Sequence, residues 1–151
     1  MKKLLALFAT LFLGLSLASC ASSSTSVTIS DPWVRSSEYS AAAGGMTGIF
    51  AKFENTTDKD ITLTGGTTDI AAMVQTHNVV DGMMQEVKGG IVIPAHETVT
   101  LEPGGLHVML MGLTKPIVAG DKVDFTFSFD DGSTQSFTLD AKPSDGGDED
   151  Y

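Results

Sequence analysis

One short stretch of the sequence combines a histidine and two methionines at alternate positions. His107, Met109 and Met111 alternate with Val108 and Leu110, between a Pro-Gly-Gly and a Thr-Lys-Pro turn signal. In a β-strand, side chains two residues apart leave the same face, with Cα atoms about 6.6 to 7 Å apart. An imidazole and a thioether on one face can therefore converge on one ion above the sheet.

A second histidine and methionine flank a tight turn. His77 precedes and Met84 follows Asp81-Gly82, a dipeptide that favours two-residue hairpin turns. Thioether and imidazole are soft, uncharged ligands that suit Cu(I) and its mimic Ag(I), whereas Ca²⁺ and Mg²⁺ prefer oxygen. The residues alone leave two interpretations open. One is a soft-metal site; in the other, methionines fill gaps in a core and the histidines are hydrogen-bonded structural residues.

The elements that would position these residues are short strands separated by turn signals, with no convincing amphipathic helix. Residues 26–35 are expected to form an edge strand interrupted at Pro32, and residues 47–55 are expected to pair with 60–66. In residues 123–129, valine and phenylalanines alternate with polar residues, and a turn leads into a closing hairpin. About eight to ten strands at this spacing predict an all-β, Greek-key β-sandwich.

The N-terminal segment is typical of an export signal peptide. Residues 1–19 combine a basic start, an apolar segment too short to span a membrane, and small residues before Cys20. The end of this segment resembles the bacterial lipobox, in which the cysteine is acylated and becomes the new N-terminus. A plain signal peptide cut near Ala18 is the alternative. Residues 20–26 then form a flexible tether, 27–140 the folded domain, and 141–151 an acidic disordered tail.

Charge and cysteine content restrict the function. The formal net charge is −10, and it is more negative once Lys2 and Lys3 are removed, which argues against nucleic acid as a partner. Cys20 is the only cysteine, so the domain has no thiolate for metal binding, nucleophilic catalysis or a blue-copper centre. No nucleophile elbow, paired acid motif or phosphate loop is present, and we therefore expect no enzyme.

At these residues the sequence resembles the periplasmic Cu(I) chaperones called PCuAC. The resemblance rests on His77, Met84 and His107-Val108-Met109, with "LMGL" following and 22 residues between Met84 and His107. It extends to "DPWVR", "FENTT", "GGIVIPAHETVTLEPGGLH" and "GDKVDFTFSFDDGS", and so spans nearly the whole domain. Two features differ: only six residues separate His77 from Met84, and the C-terminal tail lacks the Met- and His-rich extension of some relatives.

The resemblance implies an immunoglobulin-like, cupredoxin-like β-sandwich that carries Cu(I). It implies His77, Met84, His107 and Met109 as ligands and delivery toward cytochrome c oxidase or another copper carrier. The protein would be exported and held by its lipid anchor on the extracytoplasmic face of the cell membrane. The rival hypothesis is a lipid-anchored protein-interaction module whose methionines are core or contact residues.

The remaining methionines and the third histidine receive other roles. Because Met83 and Met84 are adjacent in a strand, only one of them should face the site, and alignment on the following "QEV" selects Met84. Met111 is interpreted as packing beside the ligands, and Met46 and Met73 as core or site-wall residues. His96 lies in a predicted turn and is interpreted as a solvated surface residue.

Overall fold

The structure is a computed structural model that describes residues 26–38 and 44–143. The predicted signal peptide, the predicted lipidation site Cys20, most of the predicted tether, and the tail beyond residue 143 lie outside the described residues. None of the described residues forms a helix long and apolar enough to cross a membrane.

The described chain forms ten strands in the following order. They are β1 (Val27–Arg35), β2 (Met46–Asn55), β3 (Ile61–Thr67), β4 (Ala71–Val80), β5 (Met83–Glu86), β6 (Ile91–Ile93), β7 (Thr98–Leu101), β8 (His107–Leu113), β9 (Lys122–Phe129) and β10 (Thr134–Lys142).

The strands form one hydrogen-bonded path that folds into two layers. The order is β5-β4-β8-β2-β1-β10-β9-β3-β6, and β7 pairs with β2 away from this path. The rings of Phe53 on β2 and Phe127 on β9 lie 5.4 Å apart although two strands separate them along the path. The path therefore folds over a shared core, and the predicted all-β, immunoglobulin-like/cupredoxin-like Greek-key sandwich is confirmed.

The core follows from strand alternation. Phe125, Phe127 and Phe129 on β9 are buried, while the polar residues between them face outward, as their spacing predicts. From the other layer, Val108 and Leu110 of β8 enter the same core and are fully buried. The opposite face of β8, which carries His107 and Met109, is thereby turned away from the main core.

The prediction that β1 is an edge strand is wrong. It pairs with β2 along its length and in parallel with β10 from Trp33 to Arg35. Pro32 is accommodated because the register with β2 shifts between Ser30 and Trp33, and β10 joins only after the proline. A proline can thus occur in an inner strand where a bulge removes the need for its missing N–H.

The predicted pairing of residues 47–55 with 60–66 is also wrong. Strand β2 pairs with β1, β7 and β8, whereas β3 pairs with β6 and β9 in the other layer. The turn between them crosses from one layer to the other and is held by Asn55, whose Nδ2 donates to the carbonyls of Lys59 and Ile93.

Two hairpins form as predicted. Strands β4 and β5 meet at Asp81 and Gly82, which have φ of 53° and 74°, the left-handed values of a tight hairpin turn. Strands β9 and β10 form the closing hairpin. Strand β10 continues to Lys142, so it extends two residues past the predicted end of the domain.

Candidate metal centre

The outer face of β4, β8 and β2 carries most of the methionines and two histidines. Directly opposed residues in paired strands share a face, so the register defines rows across the sheet. One row pairs His77 with His107, the next pairs Gln75 with Met109, and Gly48 of β2 lies opposite Met109. The structure therefore brings together residues from three strands that are distant in sequence.

The two imidazoles lie close enough to share an ion. The ring centroids of His77 and His107 are 5.8 Å apart, with 54° between the ring planes. A ring nitrogen lies about 1 Å from the centroid of its own ring and binds a transition metal at about 2 Å. Two rings that bind one ion from opposite sides therefore have centroids up to about 6 Å apart. The observed separation fits this limit.

His107 is held in one tautomer by the backbone before its strand. Its Nδ1 lies 2.9 Å from the carbonyl oxygen of Gly105, and a carbonyl can only accept, so Nδ1 donates a proton there. In the neutral ring the lone pair is then on Nε2. A hydrogen bond from one ring nitrogen to a carbonyl is the usual way in which a ligating histidine is oriented.

His77 is half-buried, and its surroundings favour the neutral ring. Burial lowers its pKa below 6.5, and the negative charge of Glu86, directly opposite on β5, raises the pKa by a smaller amount. Its Nε2 lies 3.1 Å from Oε1 of Gln75, so Nε2 donates and the lone pair is on Nδ1. Among the described residues, the buried Nδ1 has no hydrogen-bond partner. A buried lone pair of this kind is available for a metal.

Met109 is the thioether nearest both rings by register. It follows His107 by two residues on the same face and lies diagonal to His77. Its side chain is 0% exposed, although it lies on the outer face of the sheet. A side chain with this burial has few alternative positions, so the thioether is held in place before any ion binds.

Met84 occupies a different position. It pairs with Val79, which places it on the face of His77 but one row away in the direction opposite to Met109. One strand and one row lie between Met84 and Met109, which puts their Cα atoms on the order of 15 Å apart in a flat sheet. The structure thus groups His77, His107 and Met109, with Met84 beside His77 alone.

An aromatic shelf, formed by Trp33 and Phe50, borders the site on the β1 and β2 side. The ring centroids are 4.6 Å apart, and the Phe50 ring lies 6.2 Å from that of His107. Gly48 makes this possible, because a Cβ there would lie 2.8 Å from Cζ of Phe50. The guanidinium of the buried Arg35 lies 5.4 Å from the Phe50 centroid.

The sequence alone does not assign Trp33 and Phe50 to the site. A signal was present, because Gly48 and Phe50 are two residues apart and a glycine next to an aromatic on the same face indicates a ring lying over the backbone. What the sequence lacked was the pairing of β2 with both β1 and β8, which places that ring beside His107.

The other methionines divide between the two faces. Met83 pairs with Val80, faces away from His77 and is 63% exposed, as strand alternation predicts. Met46, Met111 and Met73 are opposed in one row of the face that carries His107, outside the main core. Of the two alternatives for Met46 and Met73, the core one is therefore wrong, and the site-wall one stays a prediction. Met46 and Met111 are partly exposed, and Met73 is 53% exposed.

His96 is far from this face in the turn before β7. It is exposed, has a φ of 59°, and contacts the Asp58 carboxylate at 2.8 Å, as expected for a surface residue. Within residues 26–38 and 44–143, no cluster of three or more His, Cys, Asp or Glu side chains could hold a metal. The imidazoles of this face are therefore joined by thioethers, with the Glu86 carboxylate opposite His77 as the neighbouring charged group.

Comparison with known proteins decides the family. Residues 27–141 match the family described as "Putative lipoprotein LpqE-like". The chain belongs to the LpqE-like family. A relative described as "Putative lipoprotein Lxx21020", from Leifsonia xyli subsp. xyli (strain CTCB07), is 40% identical over 129 residues, which cover 83% of this chain and 75% of the relative.

Solved structures share the fold of this LpqE-like protein. The copper-bound PCuAC domain from PmoF2 superposes with a TM-score of 0.64 at 21% identity, covering 78% of this chain and 93% of that domain. The solution structure of CuI-DR1885 from Deinococcus radiodurans gives 0.63 at 27% identity, covering 83% and 86%. Apo-DR1885 gives 0.60 at 25% identity, covering 97% and 99%. The fold of the PCuAC domains is thus confirmed for this chain.

Proposed function

We propose that this LpqE-like protein is an exported, lipid-anchored metallochaperone that binds Cu(I). The observation that carries the proposal is the register of β4 and β8, which opposes His77 to His107 and places Met109 beside both. The likeness to domains described as copper-bound and CuI-loaded supports it. So does the lipoprotein description of the family and of the relative from Leifsonia.

The proposed ligands are His77, His107 and Met109, with Met84 as the fourth. Neutral imidazole and thioether need no thiol deprotonation, so binding does not depend on a thiolate pKa. Thioethers are also weak individual ligands, which lets an acceptor replace them one at a time. We propose that Cu(I) leaves by this ligand exchange, toward cytochrome c oxidase assembly or to another copper carrier.

The test is an anaerobic titration of the purified chain with Cu(I) in competition with a chromophoric Cu(I) chelator. We expect the His107→Ala, Met109→Ala variant to lose affinity by at least a hundredfold, because it removes two ligands at once. The matched control is His96→Ala, which removes the exposed histidine and should leave the affinity unchanged. Near-native affinity in the double variant would overturn the ligand assignment.

Met84 requires its own variant because of its separate position. Met84→Leu keeps the volume of the side chain and removes only the thioether. If Met84 completes the site, the Cu(I) affinity of Met84→Leu is about tenfold lower than that of the wild type. The control variant Met83→Leu, on the opposite face, keeps the wild-type Cu(I) affinity. Equal affinity of Met84→Leu and wild type would leave a three-ligand site of His77, His107 and Met109.

Copper delivery and copper storage would use the same ligands, so metal binding alone does not distinguish them. A cellular test does. We expect a deletion strain to lose cytochrome c oxidase activity when copper is limiting and to recover it when copper is added. Normal activity at limiting copper would contradict delivery and favour sequestration.

A protein-interaction module without a metal site is the second candidate. Val80 and Met83 beside the β4–β5 turn, and Met73 near the start of β4, are more than 40% exposed, and exposed methionines suit adaptable contacts. This candidate predicts that the chain binds neither Cu(I) nor Ag(I) stoichiometrically, which the same titration decides.

A further inference from the structure

Three methionines lie side by side across three adjacent strands. Met111 of β8 is opposed by Met46 of β2 on one side and by Met73 of β4 on the other. Directly opposed residues have their side chains about 5 Å apart on one face of the sheet. We refer to these three residues as the methionine row.

The methionine row is not a packing feature of the main core. Its side chains share the outer face with His107. The next residues along the strands, such as Leu110 and Thr47, point inward and are buried. Met73 is 53% exposed and its two companions are partly exposed. Filling a core cavity therefore does not account for three thioethers in this position.

The row is also separate from the proposed His77 and His107 site. Gln75 and Met109 form the row between the imidazoles and the methionine row. The methionine row therefore lies about 13 Å along the strands from His77 and His107. None of its members is among the four proposed ligands. The row is made of thioethers only, which favours a soft monovalent ion over a divalent ion that prefers oxygen or nitrogen.

We propose that Met46, Met73 and Met111 form a second site for Cu(I) or Ag(I), with three thioether ligands. The side chain of Met111 is central, and those of Met46 and Met73 approach from either side. Methionine has three rotatable side-chain bonds, so the flanking thioethers can turn toward one ion above Met111. Binding transfers no electron or proton, because the ion stays monovalent and a thioether carries no proton.

The experiment uses the full-length chain in detergent micelles with ¹³C-labelled methionine methyl groups and Ag(I) as the probe. Methyl signals are assigned by single Met→Leu substitutions, which nearly conserve volume. The titration is done in a His77→Ala, His107→Ala background, so the result does not depend on the proposed function. We expect one equivalent of Ag(I) to shift the methyl signals of Met46, Met73 and Met111 together.

A triple variant provides the complementary measurement. In the same background, we expect the triple variant to bind one equivalent of Ag(I) fewer than its parent; it carries Met46→Leu, Met73→Leu and Met111→Leu. The exposed control, Met83→Leu, should bind as much Ag(I) as the parent. The site would be overturned if Ag(I) left the three signals unchanged, or if the triple variant bound as much Ag(I) as its parent. Either result would make the row an apolar contact surface. Failure of the imidazole site would instead appear as unchanged Cu(I) affinity on removal of His77 and His107.

Discussion

His77 and His107, the two histidines proposed as ligands, differ in what holds each ring neutral and oriented. His107 is 1% exposed and has its Nδ1 proton committed to the Gly105 carbonyl, which orients the ring. His77 is half-buried, and burial itself favours its neutral form. A neutral ring with an oriented lone pair is the state that binds a metal, so the proposed site would need little rearrangement to take an ion.

The pKa of His77 gives the first prediction. NMR titration of the apo protein should give a value below 6.5, because burial disfavours the imidazolium. In Glu86→Gln it should fall further, since the charge that partly offsets burial is gone. A pKa unchanged or raised in Glu86→Gln would contradict the assigned causes.

The direction of this shift determines the effect of pH on stability. The folded protein binds the His77 proton less readily than the unfolded chain does. The stability that His77 contributes is therefore fully present above the unfolded-state pKa near 6.5, and it declines as the pH falls through that value toward the folded-state pKa. Urea denaturation of wild type and His77→Gln across this range measures the difference.

Gly48 gives a second prediction at this scale. An added Cβ would lie 2.8 Å from Cζ of Phe50, so Gly48→Ala must displace the ring from the aromatic shelf. We expect a loss of about 1–3 kcal/mol in the free energy of unfolding, as for other overpacked sites, with a shift of the His107 ring signals. Gly105→Ala is the control, because its Cβ would have no neighbour nearer than 3.6 Å. Equal stability of the two variants would show that the shelf does not depend on Gly48.

At the element scale, the β4–β5 hairpin and the pairing of β4 with β8 position the candidate ligands. Strand alternation in the sequence correctly predicted that His107, Met109 and Met111 share a face and that Met83 and Met84 do not. It could not predict that His77 lies opposite His107, because that register joins residues 30 positions apart. For the same reason it paired β2 with β3, which are neighbours in sequence but lie in different layers.

The hairpin turn can be tested with two equivalent glycines. Gly82 in the β4–β5 turn and Gly132 in the β9–β10 turn have φ of 74° and 81°, and a Cβ at either would meet nothing within 4 Å. Alanine at each should cost about 1–2 kcal/mol, because only the backbone conformation is strained. Chelator competition should show weaker Cu(I) binding only for Gly82→Ala, whose turn joins His77 to Met84. Equal Cu(I) affinity in both variants would contradict a role for the hairpin in the site.

At the scale of the whole molecule, one aromatic core supports both layers. Phe127 is fully buried and contacts Phe53, Phe125 and Phe137 at centroid distances of 5.4, 4.8 and 6.0 Å. The alternation of β9 predicted this core from the sequence. The sequence indicates the Phe50 ring over Gly48, but it does not predict the position of that ring beside His107 or the methionine row, because both depend on non-local strand pairing.

Phe127→Ala tests the shared core. We expect the free energy of unfolding to fall by about 3–5 kcal/mol, as for other buried phenylalanines, with both layers unfolding in one transition followed by circular dichroism and Trp33 fluorescence. Val118→Ala, at a side chain that is 60% exposed, should change stability by less than about 0.5 kcal/mol. Two separate transitions would contradict a single core.

His77 and His107 are proposed to bind the same ion. The most direct measurement is the ¹⁵N NMR spectrum of the imidazole rings before and after one equivalent of Cu(I), which is diamagnetic and leaves the signals visible. If the two rings bind one ion, one ring nitrogen of His77 and one of His107 shift together at one equivalent, while the nitrogens of His96 do not change. Unchanged His77 and His107 signals, or a shift of only one ring, would contradict it.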